Sequence, residues 1–302
     1  MHIPDGFLST PVWLTLDAAA LSSAGLLAKK AGRETDDAQA PLLGVMGAFV
    51  FAAQMINFPV GIGTSGHLVG AALLAVTLGP APAALVMTAI LVLQALIFQD
   101  GGLLALGANV INMAVVGVLA GYLPYRYWGA GASPRAALFL GGALSVFAAA
   151  CLALAELLLS GIRIPGFILG VSLGLFGVTA LIEGAITVAV VKALQRMNPG
   201  WIRRPQTAGR PVLGVLAIGS VLLATLGALF ASALPDGLEK LAEEAGISGR
   251  ARNLIETPLA DYQAAFVDNP WLSQAAAGLA GLILITALCL LLGRLLSRGK
   301  GA

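Results

Sequence analysis

The chain has 302 residues, of which 58% are hydrophobic and 11% charged, with a mean hydropathy of +0.91 and a net charge of +2. A soluble domain needs roughly a quarter charged residues to cover its surface, so a soluble globular protein is excluded and most of this surface faces lipid. The basic residues form no tract interleaved with aromatics, which removes nucleic acid as a partner.

The first ten residues, MHIPDGFLST, lack the basic region of a cleavable signal and read as the N-terminus of the mature protein. Apolar runs between breakers then predict nine crossing helices near 11–28, 42–58, 64–79, 82–99, 103–123, 135–160, 165–192, 211–233 and 271–293. Each comes close to the ~20 residues that a bilayer demands. The third is boxed in by Gly61, Gly63, Gly66, Gly79, Pro80 and Pro82 and reads as a broken or tilted helix. Cys151 and Cys289 lie inside apolar runs with no CxxC pair and read as small core residues. Dense small residues, such as Gly141-Gly142-Ala143, imply close helix packing.

The fold class is therefore an all-α polytopic membrane protein. Residues 1–197 form a seven-helix unit, 198–210 a polar, Pro- and Gly-rich cytoplasmic linker, and 211–302 a two-helix unit. The two last helices flank an acidic, partly helical external loop at 234–270. With the N-terminus outside, all but Arg163, Lys240, Arg250 and Arg252 of the 17 Lys and Arg fall on the cytoplasmic side. The positive-inside rule expects that asymmetry, so the C-terminus is cytoplasmic and the membrane is the plasma membrane.

Polar residues within the predicted helices are Asp17, Gln54, Gln94, Asn109, Asn112, Glu156 and Glu183. Such groups either bond helices together or carry ions. No HExxH or Walker-type GxxxxGK[ST] occurs. The chain is therefore read as a non-enzyme, and any uphill transport draws on a partner or on an ion gradient.

Histidine occurs only at His2 and His67. Position 2 has special chemistry: the Met1 α-amine, the His2 backbone nitrogen and its imidazole Nδ1 can close adjacent five- and six-membered rings on one ion. Ni(II) and Cu(II) favour such square-planar nitrogen. One in-plane position then stays vacant, and the threading puts His67 on the same side to fill it. Asp5, in the Pro4-Asp5-Gly6 turn, and Asn57, Thr64 and Ser65 are candidates for a supporting shell that orients the imidazole. Ordinary turn or capping roles fit these four equally.

MHIPDGFL at the terminus, followed by FAAQMINFPVGIGTSGHLVG, resembles the CbiM/NikM family, the substrate-binding (S) components of energy-coupling factor transporters for cobalt and nickel. The resemblance covers residues 1 to about 200, and LPDGLEKLAEE at 234–244 is similar to the PDGLE motif of the two-helix CbiN/NikN component. It implies a fusion of both components, with the N-terminus inserted into a seven-helix bundle. It also implies metal held by the Met1 amine, the His2 amide and imidazole, and His67. The partners it implies are a transmembrane coupling subunit and a cytoplasmic ATPase, with Ni2+ or Co2+ as cargo and no cofactor. MHIPDG looks more like nickel-type members, which leans the expectation to nickel. The alternative is a gradient-driven secondary transporter using Glu156 and Glu183 as proton carriers.

Overall fold

The computed structural model describes residues 1–61, 63–131, 133–198 and 210–298. The expected linker lies almost wholly outside them, as do Arg203, Arg204 and Lys300. Among the described residues the chain is nearly all helix, with one short β-hairpin.

Helix α1 (Thr10–Glu34) carries Pro11 in its first turn, where the missing N–H has no intrahelical partner to lose. A reciprocal capping box between Asp36 and Gln39 opens the turn into α2 (Ala40–Gln54). The hairpin follows, β1 (Asn57–Gly61) and β2 (Thr64–His67), and then α3 (Ala71–Leu78) and α4 (Pro80–Leu93). A wide π turn extends α4 through Gln94–Phe98. Helix α5 (Leu106–Asn109), a second π segment (Val110–Gly117) and α6 (Val118–Trp128) form one continuous rod. Both π segments flank the loop at 99–105, and such turns concentrate at functional sites. The chain continues with α7 (Pro134–Leu159), α8 (Gly166–Met197), α9 (Arg210–Leu226), the short α10 (Gly237–Glu244) and α11 (Pro270–Arg298).

Two of the nine expected helices are corrected. The second stops at Gln54 rather than 58, and the first residues of the third form strand β2. Pro59 lacks the donor a helix needs, and Gly61 (φ 114°) and Gly63 (φ 69°) take left-handed conformations that close the hairpin. Helix α3 has 8 residues, about 12 Å of rise, so extended chain completes that traverse. Among the described residues six helices are long and apolar enough to cross a bilayer, and the helical stretch Pro211–Leu226 is a shorter apolar one. The external loop holds α10 and two 3₁₀ turns, Ser248–Arg250 and Ala260–Tyr262.

Small residues decide the packing. A Cβ on Gly121 would lie 2.7 Å from Cα of Ala72, and one on Gly142 would lie 2.8 Å from Cα of Gly184. Helix α11 meets α2 in the same way, since a Cβ on Gly47 would lie 2.8 Å from Cys289 Sγ. Both cysteines are free, and Cys289 is buried in this seam. At the end far from the N-terminus, Ser297 donates to the Asp37 carboxylate, joining α11 to the α1–α2 turn.

Three acids within the helices each fasten two elements. Asp17 accepts from Gly107 N at 2.8 Å, and Glu156 accepts from Asn112 Nδ2 at 2.8 Å. Glu183 takes both Val69 N and Gly70 N, at 2.8 and 2.7 Å. With no room at Gly121, Gly121→Leu should cost about 1–3 kcal/mol of stability through overpacking, read as a lowered thermal midpoint in detergent. Gly170→Leu, at a position with nothing within 4 Å of its Cβ, should leave the midpoint nearly unchanged.

Candidate metal centre

Residues 1–8 are folded into the end of the bundle as a buried plug: Met1, Ile3, Asp5, Phe7 and Leu8 are all at most 9% exposed. Asn109 grips the backbone of Ile3 from both sides, accepting from its N–H at 2.8 Å and donating to its carbonyl at 3.1 Å. Gly102 N also donates to the Ile3 carbonyl at 2.9 Å. Asp5 accepts from the backbone N–H groups of Leu103, Leu104 and Ala105 at 2.9, 2.7 and 3.2 Å. The loop can come this close because it is Gly101-Gly102: a Cβ on Gly102 would collide with Asp5, and Gly101 has φ 95°.

His67 ends β2, whose four residues are all buried. Its strand is fixed by Glu183 on one side and by Gln54, which donates to Val69 O at 2.7 Å. The other edge is covered by the external loop, where Ser65 N donates to Pro235 O at 2.8 Å and Ser65 Oγ to Leu234 O at 2.7 Å. The His67 Nδ1 lies 3.0 Å from Leu68 O, which accepts its proton and assigns the lone pair to Nε2. That Nε2 stands 2.8 Å from the Met1 amine. The same spacing is the edge of a square of nitrogens lying about 2.0 Å from a central ion.

The electrostatics favour a ligand-ready imidazole. Burial, then the Met1 ammonium and His2, lower the His67 pKa to about 4, so its ring is neutral at pH 7. The His2 ring stacks on it, with centroids 5.3 Å apart and planes 3° from parallel. His2 Nδ1 lies 2.9 Å from Asp100 Oδ1, while its Nε2 is buried without a partner among the described residues. Burial opposes the charge on Asp100, yet the His2 imidazole and the hydrogen bonds of His2 and Tyr262 hold it well below the usual carboxylate range. Tyr262 donates to its other oxygen at 2.6 Å.

Asp236 meets the Met1 amine directly as an ion pair. Burial opposes its charge too, but the Met1 ammonium and His67 bring its pKa down to about 2. A cavity of about 710 Å³ lies between the bundle and the external loop, lined among others by His2, His67, Asp100, Asp236, Glu239 and Tyr262.

The structure thus brings Met1, His2 and His67 together, but His2 Nδ1 faces Asp100 rather than the amine. Asp5 serves the 103–105 backbone, Asn57 O accepts from Ser232 N, Ser65 holds the external loop, and Thr64 Oγ1 is buried without a partner. The imidazole of His67 is oriented instead by Leu68 O. Among the described residues no three His, Cys, Asp or Glu side chains converge as an ion's ligands. Sequence reading passed over Asp100, Asp236 and Tyr262. Asp236 stands in the PDGLE motif already singled out, and Asp100 opens the Gly101-Gly102 turn; nothing local marks Tyr262.

A depressed carboxylate pKa adds stability that is complete above the usual value near ~4 and is lost as pH falls through the folded one. For Asp236 that window runs from about pH 4 down to about 2. Pepsin cleavage within 234–270, normalised to an unstructured substrate, should accelerate across this window in detergent. A flat rate from pH 4 to 2 would contradict the Asp236 link.

Residues 2–201 match the family described as the cobalt uptake substrate-specific transmembrane region, CbiM, and residues 210–298 match the PDGLE domain. A putative fused nickel transport protein NikMN of Archaeoglobus fulgidus is 35% identical, covering 95% of this chain and 96% of its own length. A fused nickel transport protein NikMN of Rhodobacter capsulatus is 32% identical, covering 95% of each. A crystal structure of a truncated transition metal transporter superposes with a TM-score of 0.59 at 33% identity, over 65% of this chain and 99% of that one. The chain belongs to the CbiM family of multi-pass membrane proteins and carries a PDGLE domain behind it.

Proposed function

We propose that the protein is the substrate-capturing membrane subunit of an importer for a divalent transition metal ion, bound by Met1, His2 and His67. The observation that carries this reading is the 2.8 Å approach of the Met1 amine to a neutral, lone-pair-bearing His67 Nε2 inside a buried pocket. The His2 amide and imidazole complete the set once Nδ1 turns from Asp100 to the ion. A bound ion would displace the protons of the ammonium and the amide to solvent, while a neutral imidazole offers its lone pair directly.

Nickel is the favoured cargo, with cobalt second. Four nitrogens in a plane suit Ni(II) better than Co(II), and both full-length relatives above are named as nickel transport proteins. Residues 1–197 form the capture unit, joined by the 198–210 linker to the two-helix unit 211–302. The site end faces outward and the Ser297–Asp37 end faces the cytoplasm, a direction supported, among the described residues, by four basic residues on the site side against ten elsewhere. With no nucleotide-binding motif of its own, the chain works with a coupling subunit and a separate ATPase. The gradient-driven alternative has less support, since Glu156 and Glu183 each hold a neighbouring segment.

Titration of the protein with its N-terminus intact, by calorimetry and absorption spectroscopy, tests the site. Wild type should bind Ni2+ one-to-one with a square-planar nitrogen spectrum. His67→Ala, and a variant with one residue inserted between Met1 and His2, should each lose at least ~100-fold in affinity, the scale of one lost ligand bond. Wild-type binding by the insertion variant would sink the terminal-amine chelate. Uptake in vesicles that needs ATP and the two partners supports the coupling, whereas uptake by this chain alone that collapses with an uncoupler overturns it.

A further inference from the structure

The PDGLE corner does more than cover the pocket. Its Asp236 divides its two oxygens between two tasks. Oδ1 accepts from Leu238 N at 2.7 Å and Glu239 N at 2.8 Å, capping α10, while Glu239 returns the bond to Asp236 N at 2.8 Å. Oδ2 is left for the Met1 amine. The two residues before it, Leu234 and Pro235, are bonded to Ser65 on the strand that carries His67. One rigid corner therefore holds both the amine and the strand of its partner ligand.

A charged amine buried in an apolar bundle needs an opposite charge, and the other residues around it do not supply one. His67 carries no negative charge in either protonation state, and Asp100 is engaged by His2 and Tyr262. We propose that Asp236 is a positioning residue for metal capture: its carboxylate seats the Met1 amine beside His67 Nε2 before the ion arrives. This rests on the Met1–His2–His67 reading above. When a divalent ion takes the amine's lone pair, the carboxylate keeps a positive partner, so the corner need not open for the ion to be held.

The test uses the full chain in detergent with an intact N-terminus and compares wild type, Asp236→Asn and Asp236→Ala. Asparagine is itself a good N-cap, so Asp236→Asn removes the charge while leaving α10 its cap, and the alanine variant removes both. The first readout is acylation of the Met1 amine in metal-free protein, followed by mass spectrometry, with the exposed Lys29 and Lys30 as internal references. Asp236→Asn should label about tenfold faster than wild type, the scale of one charge-assisted hydrogen bond lost. The second is stopped-flow capture of Ni2+ alone, which should slow about tenfold and yet end on the wild-type spectrum. Labelling within about twofold of wild type, or fast labelling with an undiminished capture rate, overturns the positioning role. Saturating Ni2+ should block Met1 labelling in wild type and Asp236→Asn alike. If it fails to protect wild type, the chelate itself is wrong, a failure distinct from that of Asp236.

Discussion

A charged chain terminus buried in an apolar bundle is the constraint around which one whole end of this molecule is organised. An unpaired buried charge costs several kcal/mol, so the Met1 amine has to find partners, and it finds Asp236 and His67. Admitting the terminus requires further concessions. The 101–102 turn is glycine because Asp5 and His2 lie against it. Asn109 spends its whole amide on the backbone of Ile3, and Asp5 commits both carboxylate oxygens to three N–H groups. Each contact replaces water that residues 1–8 would otherwise have kept.

The interrupted third traverse follows from the same demand. A helix from 64 onward would point His67 according to helical periodicity, and its N–H groups would be satisfied locally. The extended strand carries the histidine to the amine but leaves backbone groups without helical partners in a buried place, where irregular chain survives only if protein supplies the missing bonds. Glu183 takes the N–H groups of Val69 and Gly70, Gln54 reaches Val69 O, and Pro235 accepts from Ser65. Two of the polar residues counted as intramembrane candidates, Glu183 and Gln54, thus support an irregular segment.

How far the sequence was legible follows from this. Long apolar runs announce helices because composition alone decides them, and the two histidines stand out in so apolar a chain. The hairpin was hidden because its Pro59 and glycines mark a break without saying what replaces the helix. Asn57, Thr64 and Ser65 were chosen for nearness in sequence, whereas the groups around the amine and imidazoles are Asp100 and Asp236, far from His67 along the chain. Such contacts are fixed by tertiary packing and leave no local periodicity to read. Tyr262 is the extreme case, a residue with φ 57° in a surface loop whose ring stacks on Phe98 at 4.8 Å and whose hydroxyl meets Asp100.

Tyr262 also shows why the last two helices and the first part of the chain work as one body. From Asp100 a line of hydrogen bonds runs through the Tyr262 hydroxyl to Gln94 (3.1 Å), on to Gln54 (2.8 Å) and to Val69 O (2.7 Å). It joins the carboxylate that faces His2 to the strand that carries His67, and its second member belongs to the PDGLE region. Each bond is modest alone, but a continuous line in a low-dielectric interior has fewer alternative arrangements than its members taken separately. A separate two-helix chain would have to be at high concentration to keep that tyrosine and Asp236 in place. Covalent fusion makes both contacts intramolecular, with effective concentrations that reach the millimolar range for short linkers, so the geometry around both imidazoles no longer depends on how much of a second chain the membrane holds.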